Sequence, residues 1–240
     1  ALQPDLGIVI AFRMLPEVVW AMPRFGTFNL HASLLPQYRG AAPINWAIIN
    51  GDTETGVTTF LLNHEIDKGA IIGQQRTPIG DEECVGELYD RLMTMGAELV
   101  VESVEKIASG NISPIEQPQE DENLRPAPKI FKDDCLIDWN KNGVDIVNFV
   151  RGLSPYPAAW TELCVPEGSR QVLKIYETEK QFVEHTLPVG MVDTDGKTYF
   201  RIAVKDGYVN LLSIQLAGKK RMSVGDFLRG YRHVEKSWVE

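Results

Sequence analysis

Cysteine is scarce in this 240-residue chain, and the few present lie far apart. Cys84, Cys135 and Cys164 are odd in number and show neither CxxC nor zinc-finger spacing. That argues against a disulfide framework and a cysteine-based metal site, and a reducing cytoplasm is the expected compartment. Long hydrophobic runs are also missing. No apolar stretch reaches the ~20 residues of a membrane-spanning helix, so no membrane partner is expected. No signal-peptide pattern is visible. Positive charge is in deficit: 24 Lys and Arg face 33 Asp and Glu, a formal net charge of −9. A protein that wraps nucleic acid over its whole surface is usually basic, so any such contact here must be local. There is no internal repeat, no low-complexity tract and no initiator Met: ALQPDLGIVIAF enters a β-branched apolar stretch almost at once.

What is present divides the chain in two. Hydrophobic residues make up 44%, enough for a buried core, and the length suits one large domain or two ordinary ones. GIVIAF (7–12) reads as a strand buried on both faces. GTFNLHA (26–32), GVTTFLL (56–62) and GAIIGQQRTPI (69–79) read as further strands. LPEVVWAM (15–22) and AAPINWAIING (41–51) read as helices with Pro near their starts, the second with Gly just past its end. The longest helical pattern is 83–110, where Val85, Leu88, Leu92, Met95, Leu99 and Ile107 recur near 3.6-residue spacing. Such strand–helix alternation predicts a parallel sheet with crossover helices. The composition then changes. Residues 111–135 are rich in Pro and acidic side chains without a period, which reads as a linker over the surface. NGVDIVNFVRGLSPYP (142–157) is a short helix closed by prolines. From Trp160 onward alternating runs separated by EG, TDG and KDG turns predict a small antiparallel barrel of the OB kind. SVGDFLRGYRH (223–233) is a last helix. The expected domains are 1–110, a linker 111–135, and 136–240.

The chemistry concentrates in GTFNLHASLLPQYRGAAPINWAIINGD (26–52). Asn29 and His31 sit two apart on a strand and therefore share a face, at the C-terminal end where open parallel sheets bind ligands. An amide donor beside a titratable ring suits a carbonyl that becomes an oxyanion under attack. The plainer reading is a polar strand end with local hydrogen bonds. A second loop, LLNHEIDKGAII (61–72), brings Asp67, whose carboxylate near His31 would fix its tautomer. His64 and Asp67 could pair as metal ligands, but no third ligand is near in sequence, so His64 reads as a loop side chain and the site as metal-free.

FNLHASLLPQYRGAAPINWAIINGD resembles the signature of the formyltransferases that use 10-formyltetrahydrofolate, and His-x-Ser-Leu-Leu-Pro-x-Tyr-Arg-Gly is specific among short motifs. RGAAPINWAIINGDTETGVT, SPYPAAW and LLSIQLAGKKRMSVGDFLRG are similar to the branch whose acceptor is methionyl-tRNA, so the resemblance spans essentially the whole chain. It implies an α/β, Rossmann-like, mostly parallel catalytic domain, here partial, followed by an OB-like barrel that binds tRNA. It implies Asn29, His31 and Asp67 as the catalytic residues. The reduced folate would lie along Ser33, Leu34, Leu35 and Pro36, walled by the IAFRMLP and LLNHEID loops. The partners implied are 10-formyltetrahydrofolate as co-substrate, without a metal, and initiator methionyl-tRNA, with a monomer expected for the full-length protein. Many relatives carry Asp where this chain has Ala70. Relatives also begin with a strand–helix half before GIVIAF, so this sequence is expected to lack that half, to self-associate by itself and not to formylate tRNA.

Lys219, Lys220 and Arg221, followed by Arg229, Arg232 and Lys236, form a locally basic stretch: a solvated face, or phosphate contacts to tRNA. Arg39 either contacts substrate or pins its loop. Trp46 reads as core, and Arg151 and Trp160 as packing or pairing at the domain junction. Three other outcomes stay open: a sugar-nucleotide amine as acceptor, water as acceptor in the hydrolase branch, or a tRNA-binding remnant without turnover.

Overall fold

The structure, a computed structural model, describes residues 3–11, 15–118, 123–166, 168–231, 234 and 236–240. It divides into two compact units. The first comprises Ala1–Ala47, Asp52–Asp81 and Glu87–Lys129, the second Ile48–Gly51, Glu82–Gly86 and Ile130–Glu240.

The chain begins with β1 (Gly7–Ile10), α1 (Glu17–Trp20), β2 (Thr27–His31), α2 (Pro43–Ile49), β3 (Glu54–Leu61), β4 (Ile71–Pro78) and α3 (Val85–Ala108). The strands form one sheet in the order β1-β2-β3-β4. β1 and β2 pair in parallel, Gly7 opposite Thr27, as strand–helix alternation predicts. β3 departs from that pattern and runs antiparallel to β2, and β4 antiparallel to β3. The chain enters β3 beside the end of β2, with His31 opposite Thr58, and runs back along it. β1 lies at the sheet edge with Ile8 and Ile10 exposed (44% and 57%), so it is covered on one face where its composition predicts two. α1 is a single turn with no buried side chain, a reduced form of the helix expected over 15–22.

The antiparallel register gives the sheet two distinct faces. Leu30 lies opposite Thr59, and both turn toward α3: Thr59 Oγ1 bonds Ser103 Oγ at 2.7 Å, and Gly73 and Gly96 leave room for Leu99 and Leu30. Leu88, Leu92 and Leu99 of α3 are fully buried, each stabilising the unit by about 1.5–3 kcal/mol. The other face carries Asn29 opposite Phe60 and His31 opposite Thr58. The Pro- and acid-rich segment is fastened to this unit at two places. Ile115 exchanges both backbone hydrogen bonds with Ile71 (2.8 and 2.9 Å). Ala127 donates to Arg39 O and accepts from the N–H groups of Ala41 and Ala42.

The second unit contains α4 (Gly143–Leu153), β5 (Ala159–Cys164), β6 (Arg170–Gln181), β7 (Val192–Thr194), β8 (Phe200–Val204), β9 (Gly207–Leu216), β10 (Met222–Ser223), α5 (Val224–Gly230) and β11 (Trp238–Val239). Its antiparallel sheet runs β11-β5-β6-β9-β8-β7, with β10 on β9. The two ends meet through a Met191–Trp238 bridge, giving the nearly closed barrel that the alternating runs predict. Leu173, Ile175, Phe200, Ile202, Val209 and Ile214 fill it. α4 adds Ile146, Val150 and Leu153, and α5 adds Phe227 edge-on to Phe200. Ser223 caps α5 by accepting from the Asp226 N–H.

Candidate functional site

Asn29 and His31 project from β2 on the face away from α3, and each is only 6% exposed. His31 Nε2 lies 2.8 Å from Tyr38 O. A carbonyl only accepts, so Nε2 carries the proton and Nδ1 is the ring nitrogen left for chemistry. Asp67 Oδ2 stands 3.9 Å from that Nδ1. This exceeds hydrogen-bond length, so the carboxylate acts on a protonated ring through charge. Asp67 Oδ2 is itself held by the Gly40 N–H at 2.9 Å. Asn29 Oδ1 is buried and has no hydrogen-bond partner among the described residues. Leaving such a group unpaired costs about 1–3 kcal/mol, which a ligand donating a hydrogen bond there would recover.

Two non-glycine residues hold this arrangement in left-handed backbone: Tyr38 at φ +60° and Asp67 at +55°. Each costs roughly 1–2 kcal/mol, so the surroundings must fix it. Tyr38 N donates to Arg125 O (2.7 Å), its hydroxyl donates to Asp52 Oδ2 (2.6 Å), and Arg125 Nη1 bonds the other oxygen of Asp52 (2.6 Å). Gly40 permits the approach of the 123–127 segment: its φ is +128°, and a Cβ there would overlap Ala127 O. Gly69 likewise has no room for a Cβ against Leu61 O.

The Ser33–Pro36 turn is built from within. Ser33 Oγ donates to Gln37 O at 2.6 Å, and Thr58 Oγ1 donates to Ser33 O at 2.6 Å while accepting from Leu35 N at 3.2 Å. Gln74 Nε2 bonds Leu35 O and Thr58 Oγ1. Ser33 and Leu35 are buried, so their side chains support the turn from inside, while Leu34 and Pro36 are half-buried.

The structure thus gathers Asn29, His31, Asp67 and the Ser33–Pro36 turn on one face of the first unit. Arg39 pins its loop, donating to Gln117 Oε1 (2.8 and 3.2 Å) and to Pro118 O (3.0 Å). Burial lowers its pKa against the attraction of Asp67 and Glu65. His64 Nε2 faces Glu17 Oε1 at 3.6 Å and its ring meets the edge of Trp20. Trp46 is half-buried and donates its indole N–H to Pro128 O. Arg151 bonds Asn148 and Glu83 O, and Trp160 bonds Lys132 O. Phe12, Arg13 and Met14 of the IAFRMLP loop lie outside the described residues, as does Arg232. In the second unit Lys219 and Lys220 are exposed on the turn after β9. Arg221 differs: it bonds Glu177 and Ser213 and lies over the Tyr176 ring. Arg229 is paired with Asp226. Sequence reasoning missed Tyr38, Thr58 and Gln117. Tyr38 lies inside the quoted motif, but Gln117 comes from an aperiodic stretch with no local signal.

Residues 1–104 match the family "Formyl transferase", and residues 129–232 match "Formyl transferase, C-terminal domain". The methionyl-tRNA formyltransferase of Phocaeicola vulgatus is 64% identical over 99% of this chain and 74% of its own length. That of Parabacteroides distasonis is 62% identical over the whole chain and 75% of its own length. Among solved structures, HypX from Aquifex aeolicus in complex with tetrahydrofolic acid superposes with a TM-score of 0.66, over 94% of this chain and 38% of that one. At 21% identity that likeness speaks to the fold. No helix among the described residues is long and apolar enough to cross a membrane. With both family matches in register and more than three-fifths of its residues shared with the P. vulgatus enzyme, the chain belongs to the methionyl-tRNA formyltransferase family.

Proposed function

We propose that this protein transfers a formyl group from 10-formyltetrahydrofolate to the amino group of initiator methionyl-tRNA. The observation carrying this reading is the pairing of high identity to methionyl-tRNA formyltransferases with buried Asn29 and His31 on one sheet face and half-buried Asp67 3.9 Å from His31 Nδ1. The neutral amine attacks the formyl carbon, the carbonyl oxygen takes up negative charge, and the amine proton ends on the departing folate nitrogen. Asn29 supplies an amide N–H for the oxyanion, and its unpartnered Oδ1 is free to accept from the attacking amine. His31 works through Nδ1, because Tyr38 O holds its Nε2 proton. As neutral ring it accepts the amine proton, and as cation it stabilises the oxyanion. Asp67 stands 3.9 Å from Nδ1, beside the nitrogen that takes up the proton. The Ser33–Pro36 turn forms the folate side of the site, and no metal is needed. Lys219 and Lys220 suit tRNA phosphates better than Arg221, whose charge is already paired. The protein acts in the cytoplasm, as a monomer when full length, with residues 1–110 catalytic, 111–135 connecting and 136–240 binding tRNA.

The test is formylation of charged initiator tRNA by 10-formyltetrahydrofolate, with the full-length enzyme. Asn29→Ala is expected to slow turnover ~10²–10³-fold and His31→Ala ~10²–10⁴-fold, with the fold intact. Formate release without formylated tRNA selects the hydrolase reading. Near-parental turnover in either variant removes that residue from the mechanism.

A further inference from the structure

We propose that Gln117 is a positioning residue for formyl transfer, holding the Asp67 turn in register with His31 from a segment remote in sequence. The inference rests on the reaction proposed above. Gln117 is 5% exposed and its amide is saturated. Nε2 donates to Asp67 O at 3.0 Å and to Gly69 O at 2.7 Å. Oε1 accepts from Arg39 Nε at 3.2 Å and Nη2 at 2.8 Å. Two protons and two lone pairs meet two carbonyls and two guanidinium N–H groups, so one amide orientation satisfies all four. A carboxylate cannot donate to the carbonyls, and an ammonium cannot accept from Arg39. The bonds to Asp67 and Gly69 bracket the turn in which Asp67 adopts φ +55°, a conformation uncommon for a non-glycine residue. The Arg39 bonds tie the same amide to the residue preceding Gly40, whose N–H holds Asp67 Oδ2. Gln117 therefore grips both the backbone of Asp67 and the loop that orients its carboxylate. Ile115, two residues earlier, fixes the segment on Ile71.

The experiment compares the full-length parent enzyme with Gln117→Glu and Gln117→Leu, alone and with Asp67→Asn, in the tRNA formylation assay. Gln117→Glu keeps the size and the Arg39 acceptor but removes both donors, so the fold is expected to persist. The expected result for each single variant is a roughly 10- to 100-fold lower kcat with KM for methionyl-tRNA unchanged. In the Asp67→Asn background either Gln117 change should add less than about threefold, because the residue acts through Asp67. A merely structural role predicts losses that multiply and follow the thermal midpoint. Full activity in Gln117→Glu, or multiplying losses, overturns the positioning role while leaving the reaction in place. A parent that forms no formylated tRNA overturns the reaction and this role with it.

Discussion

Replacing Thr58 with Val removes one oxygen from the centre of the site's scaffold and changes little else in shape. The hydroxyl is fully buried and makes three hydrogen bonds: donated to Ser33 O (2.6 Å), accepted from Leu35 N (3.2 Å) and from Gln74 Nε2 (2.9 Å). Gln74 keeps its bond to Leu35 O at 2.8 Å, so the amide is half satisfied. Ser33 O and Leu35 N lose the hydroxyl as a partner. An orphaned buried group costs about 1–3 kcal/mol, and the two together are expected to destabilise by about 2–4 kcal/mol after relaxation. For a chain of this size that lowers the thermal midpoint by roughly 5–15 °C. Thr58→Ser is the control: it keeps the hydroxyl, loses one methyl and costs about 1 kcal/mol. The two variants are melted side by side, and the Michaelis constant for the folate co-substrate is measured in each. If loosening the Ser33–Pro36 turn weakens folate binding by about 1.4 kcal/mol, that constant rises about tenfold in Thr58→Val and little in Thr58→Ser. A Val variant as stable as the parent, or a Ser variant as damaged as Val, would refute the account of the turn as pinned by this oxygen.

Three further outcomes are expected. Lys219→Ala with Lys220→Ala weakens tRNA binding and lowers the slope of log affinity against log salt by roughly 0.7–0.9 per lost contact, and an unchanged slope leaves only a solvated turn. Arg221→Ala should instead lower the barrel's melting temperature, since it removes the Glu177 pair and the Tyr176 contact. The third concerns Asp206, whose burial pushes its pKa up but is outweighed by Lys180, at 2.7 Å, and the Gly143 N–H, leaving it below the usual carboxylate value. Its stabilisation is present above the unfolded pKa of about 3.9 and is lost as pH falls through the lower folded value. Asp206→Asn should therefore melt below the parent at pH 7, with the gap closing below about pH 4, and a gap independent of pH would exclude the pairing.

The sequence by itself determined the elements and the chemical cast. Periodicity places α3 on Val85, Leu88, Leu92 and Leu99, because burying one helical stripe leaves a 3.6-residue signature that no neighbour can erase. The alternating runs after Trp160 become the barrel for the same local reason, since strand side chains must alternate whatever they pair with. Asn29 and His31 share a face by strand geometry alone. Tertiary structure decided what periodicity does not encode. The direction of β3 is settled by its antiparallel pairing with β2 and β4, not by the composition of either strand. Which nitrogen of His31 is available depends on Tyr38 O, a backbone atom common to every residue type and so invisible in sequence. Gln117 meets Asp67 across 50 positions of chain, in a segment whose composition describes only a linker. A hydrogen bond between an amide and a distant carbonyl has no period and no motif, and it exists only once the sheet has brought both ends to one face.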